Sequence, residues 1–289
     1  MNLNEYLQQH YMPSSVKSYR ADIEMYLATC PGAATAAYKD ILNYVGALRE
    51  RYSNKRTVSR IVSCIKAYYN YLCDEGIRKD NPASAIQLMN KRNQDVQLQD
   101  LLNREQLDNL LNRRERYKDH DHRHKVMMGL LIYQALLPSE ITTLQTGDID
   151  LVEGTVHVRG TGATNSRELS LKPNQILVLH TYLGQVRTRL LRGCITDRLL
   201  IRSTGQPMTP IEIGQVVLRC YKNRYPGKRV NARIIRQSVI ANLLKEGHDI
   251  SVVQLFAGHK LPDASERYKP GGVDSLRAAL QKYHPFKPS

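Results

Sequence analysis

One segment sets the terms for the rest of the chain. From Asp148 to Leu171 the sequence switches to period two, while nearly every other apolar stretch repeats with helical spacing. Thr155-Val156-His157-Val158 alternates, Gly160-Thr161-Gly162 supplies a glycine-rich turn, and Arg167-Glu168-Leu169-Ser170-Leu171 alternates again. This pattern reads as a β-hairpin or three-stranded meander. Set among helices, it predicts a mainly α fold with one small antiparallel β-sheet.

The helical stripes then divide the chain. Val16, Tyr19, Ile23, Tyr26 and Leu27 follow Pro13-Ser14-Ser15, and Ile41, Tyr44, Val45 and Leu48 form a second stripe. A longer one runs through Val58, Ile61, Val62, Ile65, Tyr68, Tyr69 and Leu72 until Asp74-Glu75-Gly76 ends it. These predict a four-helix-like unit over residues 1–90, its tyrosines in the core or at its edge. Residues 91–102 are polar and without a period, and read as a linker. Asn103 followed by Gln106 is a capping-box signature, so a second domain is expected over 103–289. In it, helical patterns cover Val126–Leu137, Asn174–Leu191, Pro210–Tyr225, Val230–Gly247, Ile250–Ala257 and about Asp274–Tyr283. Two domains also suit 289 residues.

Charge narrows the class of partner. The net charge is +15, from 42 Lys+Arg against 27 Asp+Glu. Residues 1–102 hold 13 basic and 10 acidic residues, so most of the excess belongs to the second half. The densest stretch, Arg219 to Arg236, has seven basic residues and no acid. A solvated face usually mixes signs, whereas neutralising phosphates releases condensed counterions. Double-stranded DNA is therefore the expected partner. A membrane surface would call for a basic amphipathic helix or a polybasic tail; neither is present, nor is an apolar run of about 18 residues or a secretory h-region. A cytoplasmic, nucleoid-associated location is expected. The five cysteines show no CxxC spacing and read as free thiols. His120, His122 and His124 read as a solvated turn, and neither metal nor cofactor is expected. Lys55, Arg56 and Arg60 on the third helical stripe either meet phosphates or are ordinary surface charge. Arg159, Arg167 and Arg229 are further DNA-contact candidates.

The C-terminal third carries the chemistry. Arg236-Gln-Ser-Val-Ile-Ala-Asn-Leu-Leu-Lys-Glu-Gly247 is followed by Leu255-Phe-Ala-Gly-His259 and then Ser265-Glu-Arg-Tyr268. In order and in register this resembles the tyrosine recombinase (phage integrase-like) family, with its boxes HxLRH(S/T)xAxxLLxxG, LGH and TxxY. The resemblance extends over nearly the whole chain and is sharpest over Val230–Tyr268.

The resemblance implies a two-domain clamp on duplex DNA and a mobile-element type of recombinase. It places Tyr268 as the nucleophile that attacks a phosphodiester. The resulting 3′-phosphotyrosyl bond conserves the energy of the broken one, so neither ATP nor metal is needed. Arg236 takes the place of the second family arginine, a guanidinium that clamps the non-bridging oxygens. His259 takes that of the box III histidine.

Three positions depart from the pattern. Gln134-Ala-Leu-Leu-Pro-Ser-Glu-Ile141 replaces TGLRxSEL and puts Leu137 where the first arginine stands, while Glu140 is kept. Thr161 replaces the hairpin lysine of GKG, and Arg233 stands at the box II histidine position. Loss of one preorganised donor costs about 10²–10³ in rate, and loss of a general acid about 10²–10⁴. Arg233 is a candidate second guanidinium, and Arg159, Arg167 or Lys172 a candidate proton donor. Three readings follow: a working recombinase or integrase with a rearranged site, a catalytically impaired DNA-binding subunit serving an active recombinase, and a nicking or relaxing enzyme. By the same resemblance a dimer or tetramer on DNA is expected, with the terminal helix packing in cis or in trans.

Overall fold

The computed structural model describes residues 1–88, 100–261 and 265. Tyr268, most of the expected linker and the expected terminal helix lie outside the described residues. The chain divides into two compact units, Met1–Asn93 and Gln94–Ser289.

The first unit is built from α1 (Leu3–His10), α2 (Pro13–Thr29), α3 (Tyr38–Arg51) and α4 (Lys55–Asp74). Asn2 caps α1 through a reciprocal pair with Glu5, and Pro13 opens α2 where its missing N–H costs nothing. Every residue of the α4 stripe read from the sequence is buried, along with Cys64 and Ala67. Several of the tyrosines are core residues: Tyr26 and Tyr69 are 1% and 0% exposed, whereas Tyr38 is exposed. Their hydroxyls meet at 2.6 Å, and that of Tyr69 donates to the Ala33 carbonyl at 2.7 Å. Tyr69 thus gives its one proton to Ala33, and Tyr26 is the donor between the two. Burying two phenols is tolerated because each proton has an acceptor.

The second unit opens with α5 (Arg104–Leu111), α6 (Lys118–Tyr133) and α7 (Pro138–Thr143). The Asn103–Gln106 capping box is formed in both directions. Strands β1 (Ile149–Asp150), β2 (Thr155–Val158) and β3 (Arg167–Ser170) form an antiparallel sheet in the order β1-β2-β3. Val156 pairs with Leu169, and Val156 and Val158 send their side chains into the core. Then come α8 (Pro173–Thr181), a π-helical turn at Tyr182–Val186, α9 (Arg187–Leu191), α10 (Pro210–Tyr221), α11 (Ala232–Lys245) and α12 (Ile250–Ala257).

Two expectations are corrected. The histidine triplet lies in α6, not in a turn. Asp119 and Asp121 occupy its first turn, where acidic side chains complement the helix dipole, and His124 is buried. The end of the expected linker belongs to the second unit: Leu102 is 1% exposed in its core, and its N–H donates to Ser238 Oγ at 2.9 Å. Among the described residues no helix is long and apolar enough to cross a membrane.

Candidate active site

The site is organised around a carboxylate. Glu140, on α7, is fully buried. Pro138 at the first position of α7 and the Leu137 N–H donating to Glu140 Oε2 at 2.8 Å fix the start of that helix. Arg167, the first residue of β3, approaches Glu140 through two prongs, Nη1 to Oε1 at 2.8 Å and Nη2 to Oε2 at 3.1 Å. Arg236, on α11, is also buried and lies 3.7 Å from Glu140 Oε2. Among the described residues one negative charge is thus held between two guanidiniums, a local balance of about +1. Burial pushes the Glu140 carboxyl up. The Arg167 and Leu137 hydrogen bonds, the Arg167 charge and the Thr164 hydroxyl outweigh it and hold the group below the usual carboxylate range.

The two arginines are further tied to the backbone. Arg167 Nε donates to the Phe256 carbonyl at 2.8 Å. Arg236 donates to the carbonyls of Ala135 and Ala257. Ala135 holds φ +50, a left-handed conformation that L residues enter at a cost of about 1–2 kcal/mol, and its carbonyl receives Nη1 of Arg236. Gly258 ends α12 at φ +67. A Cβ there would stand 2.5 Å from Arg167 Nη1, so the position requires glycine for both conformation and space.

The loop between β2 and β3 is fastened to the same place. Thr164 forms an antiparallel bridge with His259, and the Asn165 N–H donates to Gly258 O at 2.9 Å. Thr164 Oγ1 donates to Glu140 Oε1 at 2.8 Å. A hydroxyl has one proton, so Thr161 is the donor in its 3.0 Å contact with Thr164. Thr161 Oγ1 also accepts the N–H groups of Ala163 and Thr164. The hydroxyl at the expected lysine position is therefore consumed in shaping the turn.

The predicted site residues fall into three groups. Arg236 lies beside Glu140. His259 is bridged through its backbone to Thr164, whose hydroxyl donates to Glu140, and His259 Nδ1 lies 2.8 Å from Oγ of the fully buried Ser265, three residues before Tyr268. Arg233 lies three positions before Arg236 on α11 and is exposed. Leu137 caps α7, partly exposed and without charge. Of the DNA-contact candidates, Lys55, Arg56, Arg60, Arg159 and Arg229 are exposed. Arg60 pairs with Asp22, and Arg159 pairs with Asp148 at 2.6 Å. Arg167 differs: its side chain is 6% exposed and turned inward, so it braces the site where a surface contact was expected. Sequence reasoning missed the roles of Thr164 and Arg167. The signal available was an acid, Glu140, set among apolar residues and in need of a buried partner.

Comparisons with known proteins identify the family. The model described as "Phage integrase family" matches residues 100–270, and that described as "Phage integrase, N-terminal SAM-like domain" matches residues 3–76. The chain is 29% identical over 290 residues to tyrosine recombinase XerC of Oceanobacillus iheyensis, spanning 97% of this chain and 94% of that protein. It is 23% identical over 277 residues to tyrosine recombinase XerD of Staphylococcus haemolyticus, spanning 94% and 92%. Among solved structures, the XerH site-specific recombinase bound to its difH substrate aligns with TM-score 0.70 at 18% identity, covering 91% of this chain and 79% of that one. The Tn1549 transposon integrase in complex with transposon right end DNA aligns with TM-score 0.65 at 17% identity, covering 98% and 100%. The fold is theirs, and with the family model spanning more than half its length this chain belongs to the phage integrase family of tyrosine recombinases.

Proposed function

We propose that the chain binds duplex DNA and recombines it at specific sites through a covalent bond between Tyr268 and a 3′ phosphate. The observation that carries this reading is that Arg236 lies beside Glu140 while His259 is bridged to Thr164, itself bonded to Glu140, and is hydrogen-bonded to Ser265, three residues before Tyr268. In this reading Arg236 clamps a non-bridging oxygen as charge develops on it, and the net positive charge around Glu140 favours the phosphorane-like transition state. Arg233 supplies a second guanidinium from the preceding turn of α11. The exposed Arg229, Arg159, Lys55, Arg56 and Arg60 contact phosphates. Likeness to a transposon integrase supports integration or excision of a mobile element as the context. The working unit is a dimer or tetramer assembled on DNA, associated with the nucleoid.

A second reading has its own observation. Leu137 brings no charge to the first-arginine position, and the Thr161 hydroxyl is already engaged. A DNA-binding subunit that fills a place beside an active recombinase needs neither group.

Covalent trapping separates the two. The protein is incubated with nicked duplexes carrying the ends of its element, and a denaturing gel is read for an adduct, with Tyr268→Phe as control. An adduct lost in the control establishes the nucleophile. Salt-sensitive binding to the same duplexes with no adduct, alone and with the active recombinase present, favours the accessory subunit.

A further inference from the structure

A second cluster of cationic side chains lies in the same unit and plays no part in the site around Glu140. A cavity of about 310 Å³ opens between the loop after α5, the first turns of α6 and the C-terminal half of α10. Its lining includes Arg113, Arg116, Arg123 and Arg219 against a single carboxylate, Glu115. Glu115 is already taken by Arg113, Nε to Oε1 at 2.9 Å. The other three arginines have no carboxylate partner among the described residues.

Arg123 is the most telling of them. It is partly buried, and its one hydrogen bond among the described residues is from Nη1 to the Ile201 carbonyl at 3.2 Å. Burial works against its charge and so does Arg219; Tyr182, Glu212 and Glu115 act the other way but do not outweigh burial. A guanidinium held out of water beside a like charge is costly unless an anion joins it. The one carboxylate in the lining, Glu115, is paired with Arg113. His124 also lines it, with Nε2 2.6 Å from the Tyr221 hydroxyl. Tyr221 gives its proton to Leu110 O at 2.8 Å, so the imidazole donates to Tyr221. Burial pushes His124 down to about 4, and it is neutral at physiological pH.

Two other ligand classes fit less well. Glu115, His124 and Cys220 place ligand-type atoms within 4.8 Å of one another, but a metal cation there would face the surrounding arginines. A lone carboxylate would leave most of the positive excess unanswered. A phosphate group carries two charges near neutral pH, and its oxygens match the planar guanidinium fork.

We propose that this cavity is a binding site for a phosphate-class anion, a mono- or diphosphate group gripped by Arg123 and Arg219. Two sources share this chemistry: a free phosphorylated small molecule, and a backbone phosphate of bound DNA. The second source rests on the function proposed above, and the first does not.

The full chain is titrated with inorganic pyrophosphate by calorimetry at constant ionic strength, beside Arg219→Gln and Arg123→Lys. Arg219→Gln removes an exposed charge and leaves the fold intact; Arg123→Lys keeps the charge and loses the fork. Alkylation of Cys220, which also lines the cavity, is followed by peptide mapping as a second readout. Saturable binding, about 10-fold or more weaker in Arg219→Gln, with slower alkylation of Cys220 when pyrophosphate is present, is the expected result. No saturable binding, or equal binding by both variants and the parent, overturns the proposal. The source is read from duplex binding. If pyrophosphate competes with DNA and Arg219→Gln lowers the salt slope by about 1, a backbone phosphate is the occupant. An unchanged slope with weakened pyrophosphate binding assigns a free ligand.

Discussion

Glu140 and Arg167 meet through two hydrogen bonds, 2.8 Å and 3.1 Å long, with side chains 0% and 6% exposed. The pair is not symmetric, because Arg236 approaches the same carboxylate from another side. Removing Arg167 leaves Glu140 and Arg236, one charge of each sign. Removing the Glu140 charge takes from two buried guanidiniums the one carboxylate that, among the described residues, both approach.

Glu140→Gln is therefore expected to cost more than Arg167→Met. Breaking a buried pair so that charge is left uncompensated costs about 3–5 kcal/mol, and that range applies to Glu140→Gln. Arg167→Met, which keeps much of the apolar stem, is expected to cost about 1–3 kcal/mol. Urea denaturation of the two variants measures both. Equal losses, or a larger loss for Arg167→Met, would show that Arg236 takes no part in neutralising Glu140.

The backbone around Arg236 offers a gain of stability. Ala135 holds φ +50 while fully buried, at a cost of about 1–2 kcal/mol. Glycine relieves that strain but adds about 0.4–1 kcal/mol of unfolded-chain entropy. Ala135→Gly is expected to stabilise the second unit by up to about 1 kcal/mol, seen as a higher urea midpoint with unchanged slope. A lower midpoint would mean that the methyl group contributes more by packing than its backbone costs.

Much of this architecture is legible in the sequence because its signals are local. The Asn103–Gln106 cap, the period-two run that becomes β2 and β3, and the apolar face of α4 all lie within a few residues of the structure they specify. What escaped depends on distant partners. Arg167 looks like any surface arginine until Glu140, 27 residues away, is brought to it. Leu102 looks like linker until Ser238, 136 residues away, receives its N–H. The histidine triplet misleads for a related reason: its polarity suggests a turn, but the buried run from Val126 to Ile132 carries the helix through it. Tyr268 was placed by motif alone and lies outside the described residues.

His124 predicts a pH dependence whose sign is fixed by burial. Its imidazole is pushed from 6.5 to about 4. Between those values the unfolded chain binds a proton that the folded chain excludes, so stability falls as pH drops through the window. From pH 7 to pH 5 this amounts to about 2 kcal/mol. Buried carboxylates add losses at lower pH, so the informative quantity is the difference between parent and His124→Asn. The parent is expected to lose about 2 kcal/mol more than the variant over that interval, by urea denaturation at both values. Parallel losses would place the proton elsewhere.

Leu137 offers the sharpest test of why this site departs from its family. It is the N-cap of α7, partly exposed, and its N–H already donates to Glu140. Leu137→Arg therefore keeps the backbone contact and adds a guanidinium beside the cluster without burying a new charge. If the parent cleaves slowly for want of that donor, single-turnover adduct formation on a nicked duplex should rise by about 10²–10³. If Arg233 already fills the role, Leu137→Arg should change little, and Arg233→Ala should abolish what cleavage there is. The two substitutions thus predict opposite patterns: a large gain with a silent Arg233→Ala for a vacant clamp, and no gain with a severe Arg233→Ala for a relocated one. A chain that forms no adduct in either background, yet binds the duplex with undiminished salt dependence, has lost more than one clamp and acts through DNA binding alone.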